Sequence, residues 1–412
     1  MSEKIKKIIY AALFILLTLL LGYFLYLFFF KTSAPTQTPT NLNALNYAGG
    51  LPQAGTNTNQ PTYINTNGQL VPATNVNASA AGVSSVARGG LTQVTSLTTT
   101  AAQGFTLAKD GSGAIYYNRT EGKFYKIGAD GQTTLLTDKI FHDVEDIYWS
   151  PDTEKAVLEY PDGSNIVYDF KSKKQYTLPK HWEDFSFSPK SDQLVFKSMA
   201  LDEENRWLAI SKPDGSGVQA LETLGDNADK VYIDWSPNKQ IIATNTESID
   251  FDRQYLYFVG TQHENFRSTI IEGWDYRSEW STNGDRLLYS VWNQDSDLKP
   301  NIWIVNGYGE NIGTNRTNLN LQTWADKCTF SDNSTVYCAV PQYLPRGAGI
   351  EPDIAASTPD DFYKIDLKTN TKSLIAVPDG TYTAKDLSVS SDGKYLYFID
   401  GVTGRLNKIG LK

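Results

Sequence analysis

Residues 146–160 read DIYWSPDTEKAVLEY, in which an apolar strand, a Ser-Pro-Asp turn and a second apolar strand follow one another. Pro presets φ at the first central turn position and Asp or Asn tolerates the next, so the segment predicts a β-hairpin. A degenerate copy, GFTLAKDGSGAIYY, lies at 104–117. Five further copies follow: DFSFSPKSDQLVFKS at 184–198, YIDWSPNKQIIATN at 232–245, SEWSTNGDRLLYSV at 278–291, CTFSDNSTVYCAV at 328–340 and LSVSSDGKYLYFI at 387–399. The hairpin therefore recurs along most of the chain.

Each hairpin leads to a third strand and, in most copies, to a fourth. After 146–160 these are NIVYDFKSK at 165–173 and KQYTLP at 174–179. Four short strands per period of about 40–45 residues are typical of a β-propeller blade. We predict an all-β fold, a seven-bladed β-propeller of four-stranded blades over residues 89–412. The last copy has only three strands, so the segment LTQVTSL at 91–97 is predicted to pair with the last blade and close the ring.

One large apolar residue precedes the serine that anchors each full copy of the hairpin turn. Packing one sheet against the next requires such a residue in the same strand of every repeat, so we interpret the series as core rather than as a ligand site. The members are Trp149, Phe187, Trp235, Trp280, Phe330 and Val389, and the anchor serines are Ser150, Ser188, Ser236, Ser281, Ser331 and Ser390.

The hairpin, the strand that follows it and the outer strand together resemble the repeats of TolB-type (WD40-like) β-propellers. The resemblance covers 91–412 and departs from the pattern at Lys190-Ser191, Asn238-Lys239 and Asp332-Asn333. It implies the propeller fold. TolB-type proteins also carry an N-terminal α/β domain, and related peptidases carry an α/β-hydrolase domain. The chain has neither pattern and no Gly-x-Ser-x-Gly elbow, so neither a TolB-like transport role nor peptidase activity is carried over.

The N-terminal region has the pattern of a membrane anchor. Residues 8–30 contain no charged side chain, Lys4, Lys6 and Lys7 precede them, and Lys31 follows. About 20 apolar residues span a bilayer as a helix, and flanking lysines favour the cytoplasmic side. We predict a single transmembrane helix at 8–30, with residues 1–7 in the cytoplasm and everything after Lys31 outside. The alternative is a cleavable signal peptide, whose apolar region is usually shorter, about 7–15 residues.

Composition separates the anchor from the body. Residues 31–88 contain no Asp or Glu and are rich in Thr, Asn, Pro and Gly, which predicts a disordered linker. Residues 1–31 carry a net charge of +3 and residues 32–88 a net charge of +1. Because the net charge of the whole chain is −9, residues 89–412 carry −13. A nucleic-acid binder needs clustered Lys and Arg, so this class is excluded. The predicted location is the cell membrane, with the propeller extracytoplasmic.

Long, unequal loops follow the second strand of several blades, whereas the hairpin turns on the opposite face are expected to be short. The blade 6 loop is the longest, and within VPQYLPRGAGIEPD we single out Tyr343, Arg346, Glu351 and Asp353. Loops on a rigid scaffold commonly carry binding, and an acidic surface attracts a cationic partner. We therefore predict a protein or peptide partner on this face. The alternative is a solvated face that keeps the protein soluble.

Tryptophans beside carboxylates enter the innermost strands of three blades. Indole faces supply stacking and cation–π contacts, so these residues are candidates for ligand binding at the channel. The alternative is that they pack beneath neighbouring loops. The pairs are Trp182 with Asp184, Trp274 with Asp275, and Trp324 with Asp326.

No catalytic set is recognisable in the sequence. The three histidines, His142, His181 and His263, form no metal-binding pair, and no Ser/His/Asp spacing stands out. Asn293, Asp295 and Asp297 alternate but do not complete a calcium-binding loop. We therefore predict neither a metal site nor a cofactor, with Ca²⁺ as the one alternative that these oxygen ligands leave open.

Cys328 and Cys338 are the only two cysteines in the chain. The turn between them centres on 332–334, which places the two cysteines opposite one another on adjacent antiparallel strands. Side chains at such a pair lie on the same face, about 4.5–5.5 Å apart at Cβ, and an oxidising exterior preserves disulfides. We predict a Cys328–Cys338 disulfide. The alternative is two buried free thiols.

These features favour a membrane-anchored, extracytoplasmic propeller that acts as a non-catalytic binding or scaffold module. The alternative is a cell-surface hydrolase of glycans or peptides that uses carboxylates at the propeller channel, since nearby carboxylates hydrolyse glycosides in other proteins.

Overall fold

The structure is a computed structural model, and it describes residues 16–21, 62–64, 70–72, 91–111 and 113–411. Residues 16–21 are helical and exposed. Across these described ranges, no helix combines the length and the apolar character needed to span a bilayer. The rest of the predicted transmembrane segment 8–30 and the predicted cytoplasmic segment 1–7 lie outside the described residues.

Two short strands lie within the predicted linker. Strand β1 (Thr62–Ile64) pairs with β2 (Leu70–Pro72) in a two-stranded sheet. Their sequences, TYI and LVP, contain the β-branched and aromatic residues that favour strands. The prediction of disorder throughout 31–88 therefore does not hold for these six residues, and the remainder of the segment lies outside the described residues.

The structure confirms a seven-bladed propeller of four-stranded blades in the described part of the chain. Each sheet is antiparallel, with its first strand innermost and its fourth outermost. Blades 1 to 3 contain β4 (Ala102–Leu107), β5 (Gly113–Asn118), β6 (Lys123–Gly128) and β7 (Thr133–Leu135); β8 (Asp146–Trp149), β9 (Lys155–Glu159), β10 (Asn165–Asp169) and β11 (Lys174–Leu178); and β12 (Trp182–Phe187), β13 (Leu194–Ser198), β14 (Trp207–Ser211) and β15 (Gln219–Thr223).

The remaining blades follow the same order. Blades 4 to 6 contain β16 (Val231–Ile233), β17 (Ala243–Ser248), β18 (Arg253–Val259) and β19 (Thr269–Glu272); β20 (Trp274–Trp280), β21 (Arg286–Trp292), β22 (Asn301–Asn306) and β23 (Thr317–Asn318); and β24 (Cys328–Asp332), β25 (Thr335–Pro341), β26 (Asp360–Asp366) and β27 (Thr371–Ala376). Blade 7 contains β28 (Ala384–Val389), β29 (Tyr395–Asp400), β30 (Leu406–Gly410) and β3 (Thr95–Ser96). Short 3₁₀ helices occupy Glu203–Asn205, Ala228–Lys230, Gly309–Asn311, Ala325–Lys327 and Pro352–Ala355.

The anchor serine holds the hairpin turn through its side chain. In blade 2, the Ser150 hydroxyl donates to Asp152 at 2.6 Å and accepts from the Lys155 backbone N–H at 2.9 Å. The Ser390 hydroxyl makes the equivalent contacts with Asp392 and the Tyr395 N–H in blade 7. A hydroxyl that both donates and accepts satisfies turn groups that the strand ladder leaves free. This explains why serine recurs at the end of the innermost strand.

The apolar residue before each serine packs between blades, as predicted. Trp235 and Trp280 are buried, and each belongs to a cluster formed with strands of the neighbouring sheet. Trp149 packs edge-on against Phe124 of blade 1, with ring centroids 5.6 Å apart. The core is therefore a series of clusters between successive sheets rather than one central cluster.

The ring closes as the sequence predicts. Thr95 and Ser96 pair with Lys408 and Asn407 of β30, and the Thr98 hydroxyl accepts from the Leu406 N–H at 3.0 Å. One contact was not predicted. Thr92 forms a parallel bridge with Pro378, which ties the same segment to the connection between blades 6 and 7.

Cys328 and Cys338 are joined by a disulfide in the structure. They face each other in the register of β24 and β25, with Cα atoms 4.0 Å apart. Both are buried in the cluster between blades 5 and 6. The cross-link therefore fixes the two inner strands of blade 6, which carries the longest loop of the propeller.

Candidate functional site

The two faces of the ring carry different connections. We call the face that holds the first hairpin turns and the third-to-fourth strand connections the turn face, and the opposite one the loop face. The loop face carries the connections from the second to the third strand and those between blades. The expectation that the turn face has only short turns is wrong at 260–268 and 307–316, which join β18 to β19 and β22 to β23.

The blade 6 loop, between β25 and β26, is an ordered element of the loop face. Leu344, Ala348 and Ala355 form a small cluster with Trp324, and the Gly349 N–H donates to the Leu298 carbonyl of the blade 5 loop at 2.8 Å. The loop has its own apolar core and a main-chain contact to its neighbour, so its outer side chains have a defined base.

Two of the three candidate tryptophans belong to the core. Trp182 is buried and stacks on Phe196 with centroids 3.7 Å apart, while Trp324 lies beneath the blade 6 loop. Trp274 is half-buried, and its indole N–H donates to the Phe251 carbonyl at 2.7 Å. Packing beneath a loop, the alternative weighed for these rings, thus describes Trp324, whereas Trp182 packs against a strand of its own blade.

Three aspartates occupy β-bulges on the innermost strands. Asp184, Asp275 and Asp386 have φ of 52°, 54° and 51°, and Gly104 takes the same place in blade 1 with φ of 53°. Asp tolerates this left-handed conformation better than most residues with a side chain. Bulges redirect side chains at the rims of barrels and sheets. They set the positions of these carboxylates around the central channel in alternate blades.

Basic residues that sequence reasoning did not single out neutralise several of these carboxylates. Arg277 contacts Asp326 at 2.8 Å and Asp275 at 3.0 Å, which joins two predicted site residues across blades 5 and 6. Lys197, almost fully buried, lies 2.6 Å from Asp184. Arg277 follows the bulge in β20, and Lys197 lies on the strand paired with the bulged strand β12. The sequence does not reveal these bulges.

Other carboxyls on or beside the inner strands form no salt bridge among the described residues. Burial raises the pKa of Glu279 to about 8, with the charges of Asp234 and Asp326 adding to the effect. Burial also raises the pKa of Asp234 to about 7 and raises the pKa of Asp386. Asp234, Glu279 and Asp386 come from blades 4, 5 and 7, so one side of the channel holds a set of carboxyls of which Asp234 and Glu279 are partly protonated at neutral pH.

This set predicts how stability depends on pH. Unfolded carboxyls titrate near pH 4, so between about pH 4.5 and 8 the folded protein binds more protons than the unfolded chain. Stability therefore falls as pH rises through this window. We expect Glu279→Gln to raise the free energy of unfolding at pH 8 by about 1–3 kcal/mol and to change it little at pH 5. Urea unfolding at the two pH values measures this, with Glu310→Gln as an exposed control. Equal effects at both pH values would contradict it.

The loop face exposes large apolar side chains at the tips of its acidic loops. Phe251 is 94% exposed and Leu201 is 98% exposed. Tyr343, Ile350 and Val402 are exposed on the loops of blades 6 and 7. Side chains of this size are normally at least partly covered in a monomer, and an exposed group of them rimmed by polar residues marks an interaction surface.

A cleft of about 460 Å³ lies on this face between blades 4 and 5. Phe251, Asp252 and Asp295 contribute to its walls together with Glu272. Asp250 is neutralised by Arg253 at 2.6 Å, and Glu272 by Arg316 at 2.8 Å. Within the part of the chain that the structure describes, Asp252 and Asp295 form no salt bridge, so the cleft presents an aromatic side chain beside two carboxylates.

The predicted site residues of the blade 6 loop lie on the same face but do not line this cleft. Arg346, Glu351 and Asp353 are exposed on the blade 6 loop with Tyr343. The Asn293 amide donates to the Glu272 carbonyl of blade 4 at 3.0 Å, and its side-chain oxygen accepts from the Ser296 N–H of its own loop at 2.9 Å. Within the described residues, no group of three or more His, Cys, Asp or Glu side chains is arranged to hold a metal ion.

Comparison with known proteins identifies the fold. No family model matches the chain, and no curated protein matches its sequence. Solved structures do match. The Cps50 (Swd1) β-propeller domain of Myceliophteria thermophila is 10% identical, with a TM-score of 0.52 over 77% of this chain and 100% of that one. The chain shares its fold.

Two further structures extend the comparison. The RRP9 WD40 repeats are 12% identical, with a TM-score of 0.50 over 78% of this chain and 99% of that one. An oligogalacturonate lyase in complex with manganese is 14% identical, with a TM-score of 0.49 over 77% of this chain and 93% of that one. At these identities the likeness to the Cps50 domain and to the RRP9 repeats supports a WD40-like seven-bladed propeller and nothing about activity.

Proposed function

We propose that the propeller is a non-catalytic binding module whose loop face holds a protein partner. The observation that carries this proposal is the set of exposed apolar tips, Phe251 and Leu201 foremost, among acidic loops on a single face. Interfaces typically combine aromatic anchors with a polar rim. We also propose that the repeats are of the TolB type, on the basis of the hairpin motif.

The charge of the loops defines the chemistry of the partner. Asp252, Asp295, Glu351 and Asp353 form no salt bridge among the described residues and lie on the loop face. Complementary charge steers association and sets orientation. A partner with a basic surface and an apolar pocket would therefore match both the carboxylates and the exposed Phe251 side chain.

The blade 6 loop offers the sharpest test of this surface. Replacing Tyr343, Arg346, Glu351 and Asp353 by serine should reduce cross-linking of a partner in intact cells by about tenfold, because the loop would lose an aromatic anchor and its charges. The melting temperature should change little, since all four side chains are exposed. The matched control is Tyr308→Ser, which removes an exposed tyrosine from the turn face. Unchanged cross-linking in the loop variant would remove the blade 6 loop from the interface.

The same proposal places the propeller outside the cytoplasm, held at the membrane by residues 8–30. It rests on the uncharged segment, the lysines before it and the acidic body after it. Protease added to intact cells, or to spheroplasts where an outer membrane intervenes, should cut within 32–88 and release the propeller. A protected propeller with a digested N-terminus would reverse the orientation.

A second function has one specific observation in its favour. Glu279, with its raised pKa, lies close enough to Asp326 to respond to its charge, and a protonated carboxyl near an ionised one is the arrangement that glycoside hydrolysis uses. The alternative is therefore a surface hydrolase of glycans or peptides. If this alternative holds, the purified full-length protein releases products from a polysaccharide or peptide mixture, and the Glu279→Gln variant does not.

A further inference from the structure

A second cavity, of about 420 Å³, opens on the turn face between blades 3 and 4. It lies on the opposite side of the ring from the proposed partner surface. The first hairpin turns of both blades form its walls together with the connection at 260–268 that follows β18. The side chains important here are Trp235, Lys190, Lys239, Gln193, Gln219 and Gln262.

The indole N–H of Trp235 is unusual among the tryptophans of its series. Trp235 is only 7% exposed, and its Nε1 has no hydrogen-bond partner. The corresponding indole of Trp149 donates to the Gly104 carbonyl at 2.6 Å, and that of Trp280 donates to the Asp234 carbonyl at 3.3 Å. Buried N–H groups are almost always paired. Trp235 thus borders the cavity with an enclosed N–H that, unlike its equivalents in two other blades, has no partner among the described residues.

Two lysines give the cavity a charge opposite to that of the body. Neither Lys190 nor Lys239 forms a salt bridge within the described residues. The one carboxylate in the walls, Asp192, accepts from the Ser188 hydroxyl at 2.7 Å and so belongs to the hairpin turn. The local balance is positive, whereas residues 89–412 carry −13. An ionised carboxylate on a ligand would meet two cations here.

The glutamine side chains indicate which other chemical groups the ligand has. Gln193, Gln219 and Gln262 each present an amide N–H₂ and a carbonyl oxygen, a combination that suits hydroxyl groups, which both donate and accept. The cavity volume falls within the usual range for small-molecule sites, about 300–1,000 Å³. We propose that this cavity binds a small polyhydroxylated carboxylate, the chemistry of a sugar acid. The lysines hold its carboxylate and the glutamines hold its hydroxyls, while the Trp235 side chain borders the site.

Calorimetric titration of the full-length protein in detergent tests the ligand class with three probes. Glucuronate combines a carboxylate with hydroxyls, glucose has hydroxyls alone, and acetate has a carboxylate alone. We expect saturable binding of glucuronate, with glucose and acetate at least about tenfold weaker, because each lacks one half of the recognition. No saturable binding of glucuronate, or glucose binding as tightly as glucuronate, would overturn the proposal.

Variants locate the binding within the molecule. Lys190→Gln combined with Lys239→Gln should abolish measurable glucuronate binding, because the ligand carboxylate would lose both of its cations. The control is Lys109→Gln, an exposed lysine in the first hairpin turn of blade 1 on the same face. The two substituted lysines are also exposed, so the double variant should retain its melting temperature. Binding in the double variant equal to that of the control would exclude this cavity.

Discussion

Deleting Leu91–Thr98 should abolish cooperative folding of the propeller or lower its free energy of unfolding by about 7 kcal/mol. The segment contributes several backbone hydrogen bonds, worth about 1 kcal/mol each, to β30 and to 377–379. It also packs the half-buried Val94 against blades 6 and 7 and the half-buried Leu97 against blades 7 and 1, each worth about 1–2 kcal/mol. Domain stabilities are only about 5–15 kcal/mol, so this loss is of the same order as the whole. Denaturant unfolding followed by tryptophan fluorescence measures it.

The control for this deletion is the removal of residues 35–85, which leaves the closing segment in place. We expect that deletion to leave the unfolding midpoint of the propeller unchanged. Thr98→Val provides a milder test. It keeps the shape of the side chain but removes the hydroxyl that accepts from the Leu406 N–H, at a cost of about 1–3 kcal/mol. Equal midpoints for the two deletions would show that the ring does not depend on this strand.

Asp360→Ala should lower the free energy of unfolding by about 3–5 kcal/mol, because it leaves a buried ammonium group without its partner. Asp360 is only 1% exposed, and its carboxylate lies 2.7 Å from the Lys327 Nζ. The same carboxylate accepts from the Ala384 N–H at 2.7 Å. Blade 6 is thereby joined to the first residue of blade 7 through a single side chain.

Urea unfolding of three variants would separate the charge effect from simple loss of packing. Asp361→Asn, next in sequence and more exposed, should cost less than about 1 kcal/mol. The double variant Lys327→Met with Asp360→Leu should recover most of the loss, because replacing a buried ion pair by apolar groups is often nearly neutral. A double variant as unstable as Asp360→Ala would show that the loss comes from packing rather than from the unpaired charge.

Local sequence signals were sufficient for the architecture. The turn chemistry around Ser150 and Ser390 recurs in blades 3, 4 and 5, where the anchor serine hydroxyl also accepts from a turn N–H. The position of Cys328 opposite Cys338 follows from the turn between them. The closing strand could be predicted because the last repeat supplies only three strands, so the fourth strand of its blade must come from elsewhere in the chain.

The candidate site was less predictable because its properties arise between blades. Trp182 and Trp324 have the same sequence context as Trp274, yet Phe196 covers the first and the blade 6 loop covers the second. The partner of Asp326 is Arg277, from the preceding blade, and no local pattern links them. The turn-face cavity did leave a signal. The connection GTQHENFRS at 260–268 is longer than a tight turn needs, and sequence reasoning passed over it.

The closing strand also affects when the propeller can finish folding during synthesis. Thr98 leaves the ribosome early, but Leu406, whose N–H donates to the Thr98 hydroxyl, lies 308 residues later in the chain. At about 5–20 residues per second, the nascent chain spends some 15–60 s with blade 7 lacking its inner three strands and with the segment around Thr95 unpaired. During that interval an unpaired strand edge is open to other chains. Nascent propellers on one polysome could therefore exchange their first strands, and strand-swapped dimers are the characteristic error to seek when synthesis is slowed.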